Sequence, residues 1–195
     1  MEIREPYASI ITKNFSLIKE NSDIGRYVQK CFSDLFSALP PKMDFQSRAK
    51  KSGDMFEYLF YYLMKHRFGI ELHTNIEVKK ACMVGAGAMD FGVMKESKIL
   101  CGIEAKGSAD SYNGKKLLRP ALKRTDTMKK AISQAYQFKR IFPETPFFIV
   151  TNIVPTEGNS RCMLDLAEGD IVDKVVDITN PSDLEWFVRE IKKLA

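Results

Sequence analysis

The sequence predicts an α/β fold: a central mixed β-sheet of about five strands flanked by helices and preceded by an N-terminal helical segment. Two patterns predict it. Apolar residues recur at helical spacing up to Gly69, and beyond it they alternate or gather in short runs, as strands require. A single helical stretch then separates the third strand-like run from the fourth, and a helix of that length suits a crossover to a parallel neighbour. The front of the sheet is therefore expected to be antiparallel and the back parallel. At 195 residues the chain is expected to form one domain, with a helical segment over 1–50, a core over 54–154 and a C-terminal strand and helix within 155–195.

The first helix is marked by Ile10, Ile11, Phe15 and Ile18. The second follows Tyr27, Val28, Cys31, Phe32, Leu35, Phe36 and Leu39 and stops at Pro40-Pro41. A third is read over 54–69, apolar nearly all round and closed by a glycine in the usual C-terminal position, with the basic residues Arg48, Lys50 and Lys51 ahead of it. Strands are expected over 71–78, 88–94, 99–106, 146–154 and 175–178. The crossover helix starts near Thr125 as a cap and runs through Met128, Ala131, Ala135 and Phe138 to Phe142, with Pro143 beyond. The last helix, from Pro181 through Leu184, Phe187 and Ile191, has one apolar face and a basic end.

Hydrophobic residues make up 45% of the chain and charged ones 28%, which argues for a folded globular protein rather than long disorder. Thirty Lys and Arg against 25 Asp and Glu give a net charge of +5, which permits a polyanionic partner without requiring one. The start, Met-Glu-Ile-Arg-Glu-Pro, lacks the apolar centre of a signal peptide, and no later run reads as a bilayer span, so a cytoplasmic protein without a membrane partner is expected. Cys31, Cys82, Cys101 and Cys162 are far apart and form no CxxC pair, so reduced, mostly buried thiols are expected instead of a zinc site.

The chemistry concentrates in Ala88-Met-Asp90-Phe-Gly-Val-Met and, after the turn Lys95-Glu-Ser-Lys98, in Ile99-Leu-Cys-Gly-Ile-Glu104-Ala-Lys106. Side chains alternate along a strand, so Glu104 and Lys106 share one face while Ala105 points to the other. If the two runs pair through that turn, Asp90 can arrive beside Glu104. Two carboxylates and an ammonium at the end of apolar strands suit a divalent metal ion and a phosphate, since magnesium is a hard cation held by one or two carboxylates plus phosphate oxygens. The competing reading is a surface ion pair across a hairpin.

The order helix, strand, acid-bearing strand, strand ending in Glu-x-Lys, helix, strand, over roughly residues 54 to 154, resembles the PD-(D/E)xK nuclease superfamily, with Asp90, Glu104 and Lys106 as the matching residues. Met89 stands where a proline often precedes the first acid. Residues 119–130, then Ala131-Ile-Ser-Gln134-Ala-Tyr136-Gln-Phe138-Lys, then Pro146-Phe-Phe-Ile-Val-Thr151-Asn152 look like the distal half of type II restriction endonucleases. The resemblance implies a restriction-endonuclease-like sheet and Mg2+, replaceable by Mn2+, held by Asp90, Glu104 and the Ala105 backbone carbonyl. It also implies hydrolysis of double-stranded DNA by a homodimer, and a DNA methyltransferase in the same restriction system that is not a stable partner. Glu57 is a fourth candidate ligand, because many members carry a glutamate on the helix before the sheet. Equally, with Asp54 as N-cap, Glu57 would sit at N3 and close a capping box. A structure-selective or repair nuclease such as a Holliday-junction resolvase shares the site, and a non-catalytic DNA-binding subunit is a further alternative.

The densest basic run, Lys115, Lys116, Arg119, Lys123 and Arg124, continues into Lys129-Lys130 and is expected to grip DNA phosphates, against the alternative of a solvated face. Ser108, Asp110, Ser111, Tyr112 and Asn113 are polar loop residues able to reach base edges or to order the loop. Val84-Gly-Ala-Gly-Ala88 is followed by a strand and not by a helix, so it reads as a turn near the site rather than a cofactor loop. His66 and His73 are too few for zinc, and His66 is read as a helix-end residue.

Overall fold

Five strands form one mixed sheet in the order β1 (His73–Ile76), β2 (Met89–Lys95), β3 (Lys98–Ala105), β6 (Phe147–Thr151) and β7 (Lys174–Asp177). The computed structural model describes residues 1–40, 42–112 and 114–194. Pro41, half of the expected helix stop, the loop residue Asn113 and Ala195 lie outside the described residues. β1, β2 and β3 pair antiparallel, whereas β3, β6 and β7 pair parallel, so the expected antiparallel front and parallel back are both present. Between β3 and β6, a two-stranded ribbon of β4 (Ser111–Tyr112) and β5 (Lys115–Lys116) precedes the crossover helix α4 (Thr125–Ile141).

Helices cover both faces. α1 (Tyr7–Phe15), α2 (Ile24–Ala38), α3 (Phe45–Phe68) and α6 (Pro181–Leu194) bury Ile11, Tyr27, Leu35, Phe56, Phe60 and Phe187 against Phe91, Ile103, Phe148 and Val176 of the sheet. On the other face, α4 and α5 (Gly158–Ala167) bury Met128, Ala131, Ala135, Phe138 and Leu164 against Met89, Phe147, Ile149 and Val175. Of the residues read as core at helical spacing, Phe15, at the end of α1, and Phe36 and Leu39, at the end of α2, are among those only partly buried. Among the described residues no helix is long and apolar enough to cross a membrane.

The largest departure concerns α3. It begins at Phe45, nine residues before the expected start, and Asp44 caps it by accepting a hydrogen bond from Ser47 N at 2.9 Å. Asp54 therefore lies inside the helix and Glu57 is not at N3, which removes the capping box. Arg48, Lys50 and Lys51 stand on the helix itself. The polar stretch 46–54 carries no apolar periodicity, and Gly53 costs about 1 kcal/mol relative to Ala in a helix interior. Capping at Asp44 and burial of the later turns, from Met55 to Met64, hold it helical nonetheless. At the other end Gly69 takes the left-handed conformation (φ 68°) as expected.

Smaller differences have similar causes. α5 was absent from the periodicity because few of its residues are buried, Ser160, Leu164 and Ala167 among them. Thr125 is the first residue of α4 rather than its cap, and Arg124 occupies the cap position, paired with Asp126 of the first turn. The cysteines are free thiols, but only Cys31 and Cys101 are buried, whereas Cys82 and Cys162 are exposed, so burial is not their common feature.

Two glycines make room for neighbouring side chains, one within the sheet and one between sheet and helix. A Cβ on Gly102 of β3 would lie 2.5 Å from Met89 Sδ and 2.8 Å from Phe147 Cδ2. At Gly107, just past β3, a Cβ would fall inside the Phe56 ring of α3. Replacing Gly107 with alanine is therefore expected to lower unfolding stability by roughly 1–3 kcal/mol, the usual cost of overpacking. Denaturant unfolding measures it, and the double variant Gly107→Ala with Phe56→Leu should recover part of the loss; an additive double variant would show that the ring is not the obstacle.

Candidate active site

The β2–β3 hairpin turns through Glu96 and Ser97, with Lys95 opposite Lys98 and Glu96 at positive φ. Its register sets Phe91 opposite Ile103 and Gly92 opposite Gly102, so one further step brings Asp90 across from Glu104. The parallel pairing of β3 with β6 sets Glu104 against Ile149 and Ala105 against Val150, and Lys106 N continues it by donating to Val150 O at 2.9 Å. The residues lie at the C-terminal end of the parallel strands, where open α/β sheets commonly form their ligand crevices.

Asp90, Glu104 and Lys106 meet there. Lys106 Nζ donates to Asp90 Oδ2 and to Ala105 O, each at 3.2 Å, and makes a very close contact with Glu104 Oε1. Asp90 Oδ2 also accepts from Ala105 N at 2.8 Å, and Asp90 N donates weakly to Glu104 Oε2 at 3.5 Å. Glu104 is 1% exposed. The pair is thus not a solvated surface ion pair: the side chains of Asp90 and Lys106 retain only 18% and 19% exposure.

The segment that follows is held as firmly. Thr151 Oγ1 donates to Lys106 O at 2.7 Å, and the Asn152 side chain pairs with both backbone groups of Ser108, accepting from its N at 3.1 Å and donating to its O at 2.8 Å. Ser108 Oγ in turn accepts from Ala121 N at 2.8 Å. Strand β6 therefore positions the loop beyond the acid and lysine. Ser108 is thereby an ordering residue of the loop.

Asp90, Glu104, Ala105, Lys106 and Ser108 form part of the lining of a cleft of about 860 Å³. Glu57 of α3 reaches the same cleft, as do Ala86, Gly87 and Ala88 of the glycine turn, which is a 3-10 turn without a following helix. Burial, then the negative charge of Asp90, push the Glu57 carboxyl up to about 8, opposed only in part by Lys106. Glu104 is raised too, first by its burial, while Lys106 offsets part of that rise. The carboxylates of Glu104 and Asp90 outweigh the desolvation of Lys106 and hold its ammonium form well above the ordinary range. One cation thus faces three carboxyl groups.

Among the described residues no three His, Cys, Asp or Glu side chains already stand as a metal-binding cluster. The Lys106 ammonium instead occupies the point between Asp90, Glu104 and the Ala105 carbonyl. Those donors are hard oxygens, and the surplus of negative charge is the environment a divalent cation relieves, so the residues fit magnesium or manganese. Glu57 and Asp54 are further acids lining the same cleft.

The expected basic run divides. Arg119 and Arg124 line the cleft, whereas Lys115 and Lys116 are exposed on the ribbon and Lys123 lines a separate groove with Glu157 and Ser160. Lys130 of α4, where the run continues, also lines the cleft, and α3 adds Lys50 and Arg48, the latter stacked 4.4 Å from the Tyr112 ring. Thr127, Lys130 and Gln134 line the cleft from one stripe of α4, a polar face at spacings of three and four that its sequence does contain. Gln134 also reaches the Ala88 carbonyl at 3.5 Å. No protein-family model matches the chain, and no curated protein matches it.

A raised carboxyl pKa has a definite effect on stability. The protonated Glu57 favours the folded state fully below its ordinary value of 4.5, and this advantage is lost as the pH rises through about 8. In EDTA the unfolding midpoint is therefore expected to fall from pH 5 to pH 8, and Glu57→Gln should flatten that fall. An unaltered pH slope in the variant would show that Glu57 does not carry the buried proton.

Proposed function

We propose that the protein is a metal-dependent endonuclease that hydrolyses phosphodiester bonds of double-stranded DNA, as a type II restriction endonuclease does. The observation that carries this reading is the cluster of Asp90, Glu104, Lys106 and the Ala105 carbonyl at the floor of a cleft rimmed by Arg48, Arg119, Arg124 and Lys130. Asp90, Glu104 and the Ala105 carbonyl would hold Mg2+ or Mn2+, with Glu57 alongside. A divalent ion bound there supplies charge neutralisation at the phosphate and lowers the pKa of a water.

The chain's own groups do the rest. The rim cations hold the phosphate backbone over the cleft, and Lys106 orients the attacking water or faces the charge developing on the phosphate. Asp90 is itself positioned by Ala105 N. The same reading carries a two-fold homodimer, which matches a palindromic target, a cytoplasmic location and a DNA methyltransferase protecting the host sequence without stable association.

Purified protein with Mg2+ is expected to cut phage DNA into discrete fragments. Asp90→Asn or Lys106→Ala should lower cleavage by at least about 100-fold with circular dichroism unchanged. A smear would indicate an unspecific nuclease, and cutting confined to branched DNA a junction resolvase; unchanged cutting by both variants would remove the proposed site. Binding in EDTA tests the cleft independently. Each rim cation that touches a phosphate should, on replacement by alanine, reduce the slope of log K against log salt by roughly 0.9, and Arg48→Ala and Lys130→Ala should do so.

A further inference from the structure

Leu118 is 96% exposed, more than any other large hydrophobic side chain among the described residues. It sits at a bend with Arg119, between the β4–β5 ribbon and the turn leading to α4. The bend is not a loose loop end. On one side Leu117 N donates to Asp110 O at 2.8 Å, and on the other Pro120 is buried and Ala121 N is tied to Ser108 Oγ, one residue beyond Gly107. Leu117 and Arg119 line the catalytic cleft, whereas Leu118, Arg119 and Lys123 line the groove behind it, so the bend forms the ridge between the two.

What covers this leucine is indicated by its surroundings. Residues 111–124 hold five cations, Lys115, Lys116, Arg119, Lys123 and Arg124, and no acid. Leu166, the next most exposed, is by contrast flanked in sequence by Asp165 and Glu168. A segment that carries cations and no acid around one fully exposed apolar side chain complements a polyanion with an apolar interior. Stacked bases behind a phosphate backbone have that constitution. Proteins that kink duplex DNA insert single Leu, Phe, Ile or Met side chains between base steps, with cations alongside on the phosphates.

We infer that Leu118 is a wedge that enters a base step of duplex DNA next to the catalytic cleft, with Lys115, Lys116 and Arg119 gripping the flanking phosphates. The inference rests on the DNA reading of the cleft and adds a mode of engagement: the duplex is locally unstacked when bound. The leucine contributes no burial to the fold, so its replacement leaves the protein folded.

A short duplex carrying 2-aminopurine at several positions, bound in EDTA so that no cutting occurs, reads the unstacking directly. Wild-type protein is expected to raise the 2-aminopurine fluorescence several-fold at saturation. Leu118→Ala should abolish the rise while weakening binding, followed by anisotropy, less than about threefold, and Leu118→Met should retain it. Binding without a rise, or a rise that survives Leu118→Ala, would overturn the wedge and leave the nuclease reading to its cleavage assay. Absence of binding at low salt would overturn both. Dissociation of a dimer by Leu118→Ala, seen by sedimentation with the fluorescence unaltered, would assign the leucine to a second copy of the chain and overturn the wedge.

Discussion

Glu104 is removed from water at the centre of the sheet's end, and a carboxyl so placed must be compensated from within the protein. Lys106 provides that compensation from two residues along the same strand, and Asp90 enters from the neighbouring strand to share the ammonium. Removing one partner of a buried pair typically costs about 3–5 kcal/mol, yet replacing the whole pair by apolar residues is often neutral. Stability alone therefore gives no reason to keep charge there. The remaining strands, the glycine turn and the ties from Thr151 and Asn152 are arranged so that these few groups meet.

The balance of charge distinguishes this cluster from a structural ion pair. With Glu57 included, three carboxyl groups face one ammonium, and two of them are raised by burial and mutual repulsion. Perturbed groups in a cleft are where functional sites concentrate. The Lys106 ammonium takes the place that the oxygen donors offer to a cation.

Close approach of helix to sheet gives the site its third carboxyl. Gly107 lets the Phe56 ring of α3 lie directly against the chain leaving β3, and Glu57 is the next residue of that helix. A side chain at 107 would push α3 away from the strand end and Glu57 with it. The early turns of α3 also carry Phe45 and Arg48, which meet Arg124 and Tyr112 from the segment after β3. One helix thereby joins the acidic floor to the basic rim.

The sequence by itself determined the sheet and the three central residues. Period-two alternation along β3 requires Glu104 and Lys106 to share a face, because strand geometry is local; the two-residue turn by itself would set Asp90 opposite Ile103, and the register shift between Val93 and Met94 is what moves it opposite Glu104. The start of α3 was not legible, since a polar helical stretch has no apolar period; its cap at Asp44 and its packing against the sheet decide it. The role of Glu57 followed that boundary, from an even choice between cap and site to a place in the cleft. Likewise, sequence proximity suggested one basic run from Lys115 to Lys130, whereas the tertiary structure gave only Arg119, Arg124 and Lys130 of it to the cleft and drew Arg48 and Lys50 from α3 on the opposite face. Long-range packing selects which charges converge, because residues distant in sequence meet only when the layers between them have closed.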